Sequence, residues 1–475
     1  MLDRPNVLLL LTDQERYDLT APGALPVETP NLDRIAEDGT RFTRAYTPIG
    51  ICTSARASLL SGLFPHAHGM LNNSHEADAL QPNFPPDLPT FGEGLAQVGY
   101  ENTYLGKWHV GRDQVPGEFG FRYLGGSDTH HDDIDRAFRA YRDRLGVDRE
   151  VDLIDPITTD YEDDPTLIAA ETPVPVEATR AYYLAERTIE RIEGLAAGSG
   201  EQPFFHRTDF LGPHHPYVVP EPYASMYDPD DVDPWPTFTE TFDGKPQVHE
   251  NYLRYRGVAN FDWETWSRAV ARYFGFVTMI DDQVGRILDA LAEHGMEETL
   301  VVHTSDHGDF TGSHRQFNKG PLMYEETYHV PLAAMGAGVE RGTCDAFVSL
   351  VDLMPTFLDL AGAEVPEVHG RSLGPLLDGD VPEDWRESIT AQYHGDEFGL
   401  YSQRMIRSER YKFVYNAPDV NEFYDLHDDP HELRNLVSHP EYEEVRREHE
   451  RRLLGWMERT DDPITRWTRN VLGQG

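Results

Sequence analysis

The sequence predicts an α/β fold whose central sheet is mostly parallel and covered by helices on both faces. Short apolar runs alternate with helical patterns along the chain, which is the order of elements in such folds. The first run, NVLLLLTD, is apolar at consecutive positions, as expected for a strand buried on both faces. With 475 residues, 39% of them hydrophobic, the chain can bury the large core that this fold needs.

The elements after this strand follow in order. The segment TPNLDRIAEDG predicts a helix with Thr29 as N-cap, Pro30 at its first position and Gly39 at its end. Three further strands are predicted, each running into polar residues: NTYLGKWH, PFFHRTDFLGPHHP and TLVVHTSDHG. Between the last two, a long helix is predicted by SRAVARYFGFVTMIDDQVGRILDALAEHG.

A change in composition near residues 379–384 predicts a domain boundary. We expect a large domain over residues 1–380 and a smaller α+β subdomain over residues 381–475. Within the smaller part, RMIRSERYKFVYN and NEFYDLHD indicate a small antiparallel sheet, and a charged helix follows them.

The formal net charge of −42 disfavours binding to nucleic acid or to an anionic membrane. Lysine is rare, because Lys107, Lys245, Lys319 and Lys412 are the only four in the chain. Such an acidic, lysine-poor composition resembles cytoplasmic proteins of salt-loving microbes, in which abundant cations screen the repulsion between carboxylates. The alternative is an acidic protein of an ordinary cell.

The two cysteines, Cys52 and Cys344, are too few for a disulfide framework and do not suggest an oxidising compartment. Asp3 precedes the first apolar run and no small-residue cleavage site follows it, so we interpret the run as a buried strand and not as a signal peptide. No apolar stretch approaches the roughly 18 residues that span a bilayer. We therefore expect a soluble, cytoplasmic protein.

Polar residues gather at the carboxyl ends of the four predicted strands, where open α/β sheets place their sites. These residues are Asp13 with Gln14, Lys107 with His109, His214 with His215, and Asp306 with His307. Any one of them has an ordinary explanation, such as a helix cap or a surface histidine. Four clusters on four strands favour a common site.

These residue types suit a divalent cation and an anionic ligand. Asp13, the Gln14 carbonyl and Asp306 offer oxygens to Ca²⁺ or Mg²⁺, whereas His307 shifts the preference towards Mn²⁺ or Zn²⁺. The side chains that surround such an ion form a cationic pocket for a tetrahedral anion: Arg56, Lys107, His109, His214 and Lys319.

Seven segments resemble, in order, the signature segments of the sulfatase family within the alkaline phosphatase superfamily. They span Pro5 to about Leu436 and read PNVLLLLTDQ, CTSARASLLSGLFPHAHG, YLGKWHVG, GPHHP, VVHTSDHGDFTGSH, NKGPLMYEE and EFYDLHDDPHELRNL. The combination of Cys52 and Arg56 with GKWH and SDHG is the most specific part. The resemblance implies an alkaline-phosphatase-like α/β domain, a smaller C-terminal subdomain and hydrolysis of a small-molecule sulfate ester.

The resemblance also implies roles for individual residues. Cys52 would be oxidised to formylglycine, an aldehyde, by a formylglycine-generating enzyme, and would then join Asp13, Gln14, Asp306 and His307 around one cation. Ca²⁺ is the first candidate, with Mn²⁺, Mg²⁺ and Zn²⁺ as alternatives. Arg56 would support the hydrate of this aldehyde, and His109 would orient the hydroxyl of the hydrate. Lys107, Lys319 and His214 would bind the sulfate oxygens. His214 would also protonate the leaving alcohol.

An aldehyde at position 52 has a chemical purpose. Its hydrate carries two hydroxyls on one carbon, so that one can attack sulfur and displace the alcohol while the other later drives elimination of sulfate. A lone thiol or serine hydroxyl would stay trapped as the ester.

Two departures from the usual family pattern leave alternatives open. Ser54 stands where Pro or Ala is usual, so an unmodified Cys52 and a non-catalytic binding protein is one alternative. Gln14 and His307 resemble the branch that contains choline sulfatases and phosphonate monoester hydrolases, so hydrolysis of phosphonate monoesters or phosphodiesters is another. The sequence does not determine the leaving alcohol, for which a sugar, an aryl alcohol and a choline-type alcohol are the alternatives. It does not determine the oligomeric state either.

Overall fold

The structure is a computed structural model that describes residues 4–125, 131–148, 150–161, 164–198, 202–336, 338–396, 398–417 and 419–473, with residues 131–135 described by their backbone alone. The strands are β1 (Val7–Asp13), β2 (Thr40–Phe42), β3 (Ala45–Tyr46), β4 (Glu101–Gly106), β5 (Arg122–Tyr123), β6 (Ile154–Thr158), β7 (Leu167–Glu171), β8 (Phe204–Pro213), β9 (Tyr217–Val219), β10 (Leu300–Ser305), β11 (Leu332–Met335), β12 (Gly342–Cys344), β13 (Val348–Ser349), β14 (Ser388–Asp396), β15 (Gly399–Ser408), β16 (Tyr411–Ala417) and β17 (Glu422–Asp425).

The helices are α1 (Pro30–Glu37), α2 (Cys52–Ser61), α3 (Pro65–His68), α4 (Phe91–Gln97), α5 (His131–Leu145), α6 (Arg180–Ala196), α7 (Gln247–Tyr255), α8 (Trp263–Glu293), α9 (Glu325–Tyr328), α10 (Leu353–Leu360), α11 (Gly374–Leu377), α12 (Glu443–Arg459) and α13 (Thr465–Val471). The predicted strands are confirmed as β1, β4, β8 and β10, and the long predicted helix is α8.

A central sheet of eight strands, in the order β12-β2-β11-β10-β1-β8-β4-β5, organises the large part of the molecule. β1 runs parallel to both of its neighbours, β10 and β8, while β11 pairs antiparallel with β10 and β2. The predicted mostly parallel α/β sheet is therefore confirmed. Because β1, β8, β4 and β10 point the same way, their carboxyl ends share one edge.

Both faces of the sheet are covered by helices. Leu9 and Leu11 of β1 belong to a core cluster with α2, α4 and α10. Leu8 and Leu10 belong to the cluster on the opposite face, with α1, α6 and α8. This alternation explains why β1 is apolar at consecutive positions, since successive side chains of a strand point to opposite faces.

The start of α1 is where the sequence predicts it, but its cap is different. Among the described residues, the Thr29 hydroxyl accepts no hydrogen bond from the first backbone N–H groups of the helix. Instead, Asp281 of α8 accepts hydrogen bonds from the backbone N–H groups of Asn31 and Leu32, at 3.1 and 2.7 Å. Gly39 is required for close packing, because a Cβ there would lie 2.0 Å from the Ala334 carbonyl oxygen.

A second sheet forms the C-terminal part, with four strands in the order β14-β15-β16-β17 and antiparallel pairing throughout. Helix α12 packs Leu453 and Met457 into a cluster with Phe413 and Phe423 of this sheet. Apart from Phe64 and Val351, the buried members of this cluster belong to the C-terminal part. We therefore propose that the chain divides near residue 380.

Every lysine of the chain is buried, with exposed fractions between 0% and 7% for Lys107, Lys245, Lys319 and Lys412. Lys412 of β16 binds Glu325 and Glu432, both at 2.7 Å. Lys245 donates to the Glu432 carbonyl at 2.7 Å. These two lysines thereby connect the C-terminal sheet to the large part of the molecule. No helix within the described ranges is long and apolar enough to cross a membrane.

Candidate active site

Four buried side chains converge where β1 and β10 end and α2 begins. Asp13 ends β1, Asp306 and His307 follow β10, and Cys52 is the first residue of α2. The Cys52 Sγ lies 3.1 Å from His307 Nε2 and 3.9 Å from Asp13 Oδ1. One ligand atom from each of the four residues lies within 4.8 Å of the other three. The parallel strands therefore bring together the groups that were predicted to lie at their ends.

This donor set fits a divalent cation. His307 Nδ1 lies 2.9 Å from the Gly308 carbonyl oxygen, which can only accept, so Nδ1 carries the proton and Nε2 presents its lone pair to the cluster. The two carboxylates suit hard cations such as Ca²⁺, whereas the imidazole nitrogen also suits Mn²⁺ or Zn²⁺.

Gln14 lies beside this cluster in a left-handed conformation with φ of 68°. Its backbone N–H donates to Asp306 Oδ1 at 3.2 Å. Both of its oxygens accept hydrogen bonds, the carbonyl from Tyr273 at 2.8 Å and the amide oxygen from Lys319 at 3.0 Å. Each oxygen retains a second lone pair that a cation could use.

Arg56 lies beneath the cluster and is fully buried. Its guanidinium donates to Asp306 at 2.8 Å, to Asp209 at 2.7 Å and to Asp13 at 3.0 Å. Burial alone would lower the pKa of Arg56, but these three carboxylates hold it well above its usual value. The predicted placement of Arg56 one helical turn after Cys52 is confirmed.

Asp209 was not predicted from the sequence. It lies inside the buried strand β8, where Arg207 also binds it at 2.6 Å, and the phenol of Tyr104 donates to it at 2.6 Å. The only signal of this pair in the sequence is that two opposite charges, Arg207 and Asp209, lie on the same face of a predicted strand.

The charges around the cluster set its protonation. Burial would raise the pKa of Asp13, but Lys107, His214 and Arg56 outweigh burial and hold the pKa well below its usual value. Lys107 is hydrogen-bonded directly to Asp13. Burial raises the pKa of the Cys52 thiol to about 11, against the opposing charges of Lys107 and Lys319. Asp13 is therefore ionised near neutral pH, while the unmodified thiol keeps its proton and is a weak nucleophile.

Lys319 and His214 form the opposite side of the site. Lys319 Nζ lies 3.2 Å from His214 Nε2, and His214 Nδ1 lies 2.6 Å from the His215 carbonyl oxygen. Burial, followed by the charge of Lys319, holds the pKa of His214 well below its usual value. His214 is thus a neutral imidazole whose Nε2 faces a cation and can receive a proton.

These groups open into a cavity of about 560 Å³. Its polar end is lined by Cys52, Lys107, His109, His214 and Lys319. The rest of its lining includes the apolar side chains of Phe138, Val174, Phe210, Phe276 and Met279 and two arginines, Arg142 and Arg180. Asn73 and His75 also line it; they come from a loop without periodic pattern and were not predicted. The structure thus brings all the predicted site residues to one cavity or directly beneath it.

Comparison with known proteins agrees with this architecture. The family model described as Sulfatase matches residues 5–363, and the one described as N-sulphoglucosamine sulphohydrolase, C-terminal, matches residues 312–459. An arylsulfatase of Clostridium perfringens is 30% identical over 93% of this chain and 92% of its own length. The multifunctional alkaline phosphatase superfamily protein PehA of Trinickia caryophylli is 29% identical over 99% of both chains.

Among solved structures, a phosphonate monoester hydrolase of Agrobacterium radiobacter superimposes with a TM-score of 0.78 and 26% identity, covering 96% of each chain. The Sulfatase family model matches well over half of this chain. The chain therefore belongs to the sulfatase family of the alkaline phosphatase superfamily, and it is a sulfuric ester hydrolase.

Proposed function

We propose that the protein hydrolyses a small-molecule sulfate ester through a formylglycine made from Cys52, with one divalent cation, first of all Ca²⁺, held by Asp13, Gln14, residue 52, Asp306 and His307. The observation that carries this proposal is the buried cluster of Asp13, Cys52, Asp306 and His307 at the cationic end of the cavity. When bound, the cation would acidify a hydroxyl and offset the charge of the sulfate group.

The chain's own residues divide the remaining work. Lys107 and Lys319 bind the sulfate oxygens, because both ammonium groups border the polar end of the cavity. One hydroxyl of the hydrated residue 52 attacks sulfur. His214 protonates the departing alcohol. Its pKa is low without substrate, and binding of an anionic sulfate next to it favours the protonated form that this role needs.

The second hydroxyl of residue 52 then loses its proton to His109, and sulfate leaves as the aldehyde re-forms. Cys52 is 2% exposed, so a formylglycine-generating enzyme must act on it before the chain has folded. We therefore expect conversion of Cys52 when the chain is co-expressed with a formylglycine-generating enzyme, and no conversion when that enzyme is added to the folded protein.

The apolar wall of the cavity suggests the class of leaving alcohol. Phe138, Phe210, Phe276 and Met279 line the cavity beyond the sulfate-binding end, and the guanidinium groups of Arg142 and Arg180 lie over the Phe138 ring. Burying an aromatic ring there would be favourable, at about 25 cal/mol per Å² of apolar surface. We propose an aryl or other hydrophobic alcohol. A panel of aryl sulfates, choline sulfate and sulfated monosaccharides tests this, and a preference for either of the last two would contradict it.

A phosphonate monoester or phosphodiester hydrolase is the second candidate. It is favoured by the likeness to a multifunctional superfamily member and to a phosphonate monoester hydrolase, and by the near-identical shape of sulfate and phosphoryl oxyanions. Parallel measurement of kcat/KM for an aryl sulfate and the matching aryl phosphonate decides between the two. A higher value for the sulfate is expected.

The nucleophile is tested at position 52. Mass spectrometry should find that the peptide containing residue 52 lacks a free thiol and reacts with carbonyl reagents, while Cys344 stays an ordinary thiol. Cys52→Ala should abolish turnover and keep the fold, and Cys52→Ser should stall as a covalent ester because it has no second hydroxyl. An active enzyme with an intact Cys52 thiol would overturn the mechanism, and binding without turnover would favour the non-catalytic alternative.

The cation is tested at Asp306. Asp306→Ala should lose both bound metal and activity, because the carboxylate is one of the four converging ligands. Metal analysis of the purified variant measures this. Full metal occupancy in Asp306→Ala would show that the site lies elsewhere.

A further inference from the structure

His109 is linked to the cavity mouth by two further side chains. His109 Nε2 lies 2.8 Å from His75 Nδ1, and His75 Nε2 lies 3.0 Å from Glu76 Oε1. The His75 and His109 ring centroids are 4.9 Å apart. Glu76, His75 and His109 therefore form a continuous row, joined by the contact between the two rings and by an ion-pair contact, which begins at the sulfate-binding end and reaches a His75 side chain that is 41% exposed.

The loop that carries this row is anchored on several sides. The Asn73 side chain accepts from the backbone N–H of Thr53 in α2 at 3.3 Å and donates to Asp396 of β14 at 3.0 Å. Arg112 donates to the Ser74 carbonyl at 2.8 Å and also to the Glu76 carbonyl. These contacts fix the positions of His75 and Glu76 relative to residue 52, which directly precedes Thr53 in α2.

The row determines which nitrogen of each ring carries a proton. The Glu76 carboxylate, 3.0 Å from His75 Nε2, favours a proton on that nitrogen, because a lone pair there would face a negatively charged oxygen. The neutral His75 then has a lone pair on Nδ1, which requires a proton on His109 Nε2. As a result His109 Nδ1 carries a lone pair and is the base of the row.

We propose that His75 and Glu76 are positioning residues that keep His109 in this form and carry away the proton it receives when sulfate is eliminated from residue 52. The proposal rests on the proposed function. In the elimination step, the O–H of the second hydroxyl breaks, its electron pair forms the aldehyde C=O bond, and the bond from that carbon to the sulfate oxygen breaks. Sulfate leaves with that electron pair, and the proton moves to His109 Nδ1.

The proton then passes along the row. His109 gives its Nε2 proton to His75 Nδ1, which leaves His109 neutral and His75 a cation. The Glu76 carboxylate 3.0 Å away stabilises that cation, while Lys107, two residues from His109, opposes a charge on His109 itself. Water at the cavity mouth takes the Nε2 proton of His75, which leaves both rings neutral with their protons on Nδ1. The row resets after sulfate has left, when water in the cavity takes the His109 Nδ1 proton, His75 returns its Nδ1 proton to His109 Nε2, and water at the mouth reprotonates His75 Nε2.

This role affects only the second half of the reaction. The leaving alcohol has already departed, so kcat/KM, which is determined by the steps up to that departure, should not change. Loss of the row slows release of sulfate, so kcat and KM should fall together and the ester on residue 52 should accumulate.

The experiment compares His75→Phe and Glu76→Gln with wild type and with His427→Gln. His427 is a matched control, because it also binds the carboxylate of the next residue, Asp428 at 2.9 Å, but is 75% exposed and does not line the cavity. We expect His75→Phe to lower kcat about tenfold or more, with kcat/KM within about twofold of wild type. Mass spectrometry under turnover should find the residue 52 peptide as its sulfate ester, and His427→Gln should match wild type.

Equal losses in kcat and kcat/KM, or no change in either, would overturn the proposed role of the row. Failure of the proposed function looks different, because wild type itself would then lack aldehyde at position 52 or sulfatase turnover. Glu76→Gln should show the same separation of kcat from kcat/KM to a smaller degree, and an effect of Glu76→Gln on kcat/KM alone would count against the row.

Discussion

Arg56 binds Asp13, Asp209 and Asp306 at once, so its removal leaves three buried carboxylates without their shared cation. We expect Arg56→Met to lower the free energy of unfolding by about 3–5 kcal/mol and to abolish turnover. Urea unfolding in the presence of a chelator measures the loss without a contribution from bound metal.

The control for this prediction is Arg34→Met. Arg34 pairs with Asp289 at 3.2 Å on the surface, where an ion pair contributes at most about 1 kcal/mol. An Arg56→Met variant as stable as Arg34→Met would show that the three contacts do not hold the site together.

At the scale of residues, the strand-end groups could be predicted and their supports could not. Asp13, Lys107, His214 and Asp306 follow apolar strands, and parallel strands bring their carboxyl ends to one edge. Asp209 lies inside a buried strand, where no rule anticipates a charge. His75 lies in a loop whose position depends on contacts with α2 and β14, which have no local pattern in the sequence.

At the scale of elements, the start of α1 is stabilised by a residue from another helix and not by the local cap that the sequence predicts. Asp281 satisfies two of the first N–H groups of the helix. We expect Asp281→Ala to cost about 1–2 kcal/mol of unfolding free energy, because buried donors lose their acceptor. Alanine is itself a good helix former in α8, so helix propensity does not account for the loss.

Thr29→Val is the matching control, since it removes the hydroxyl and keeps the shape. It should change the unfolding free energy by less than about 0.5 kcal/mol, as measured by urea titration. If Thr29→Val lowered the unfolding free energy more than Asp281→Ala does, Thr29 would be the cap of α1, as the sequence predicts.

The connection between the two sheets should be sensitive to acid. Burial would raise the pKa of Glu422, but His249 and hydrogen bonds from Tyr424 and Asn416 outweigh it and lower that pKa to about 2. The unfolded value is about 4.3. Glu422 therefore contributes stability that is complete above about pH 4.3 and is lost as the pH falls towards 2, on the order of 3 kcal/mol in all.

Unfolding free energies of wild type and Glu422→Gln test this from pH 6 to pH 2. The two should differ most near pH 6 and converge in acid, whereas Glu293→Gln, at an exposed position, should follow wild type throughout. A constant difference between wild type and Glu422→Gln would contradict the expected titration.

The elements with the clearest apolar patterns were predictable, whereas β14, α6 and the shortest strands were not. β1 and β10 are buried along their whole length and β8 nearly so, while α8 buries one broad face, so each shows a clear apolar pattern. β2, β12 and β14 were not predicted. The first two have only three residues each, too few for a period to show, and they exist because the large sheet supplies hydrogen-bonding partners.

At the scale of the whole molecule, the net charge of −42 predicts stabilisation by salt. Raising the salt from about 0.1 M to about 1 M shortens the Debye length from about 10 Å to about 3 Å, which screens repulsion among surface carboxylates. We expect the thermal midpoint to rise steadily over this range. A midpoint that does not depend on potassium chloride would contradict the halophilic interpretation and leave the enzyme assignment intact.

The burial of all four lysines has a chemical consequence. The ε-amines of Lys245 and Lys412 are enclosed by carboxylates, carbonyls and rings. Those of Lys107 and Lys319 lie inside the active-site cavity, so resins and bulky acylating dyes in solution cannot reach any of the four while the chain is folded. Attachment to amine-reactive resins or dyes through lysine should therefore fail under native conditions and succeed in denaturant. The extent of lysine acylation therefore measures the fraction of molecules that are unfolded. Labels for the native protein are better attached to Cys344 or to the many exposed carboxylates.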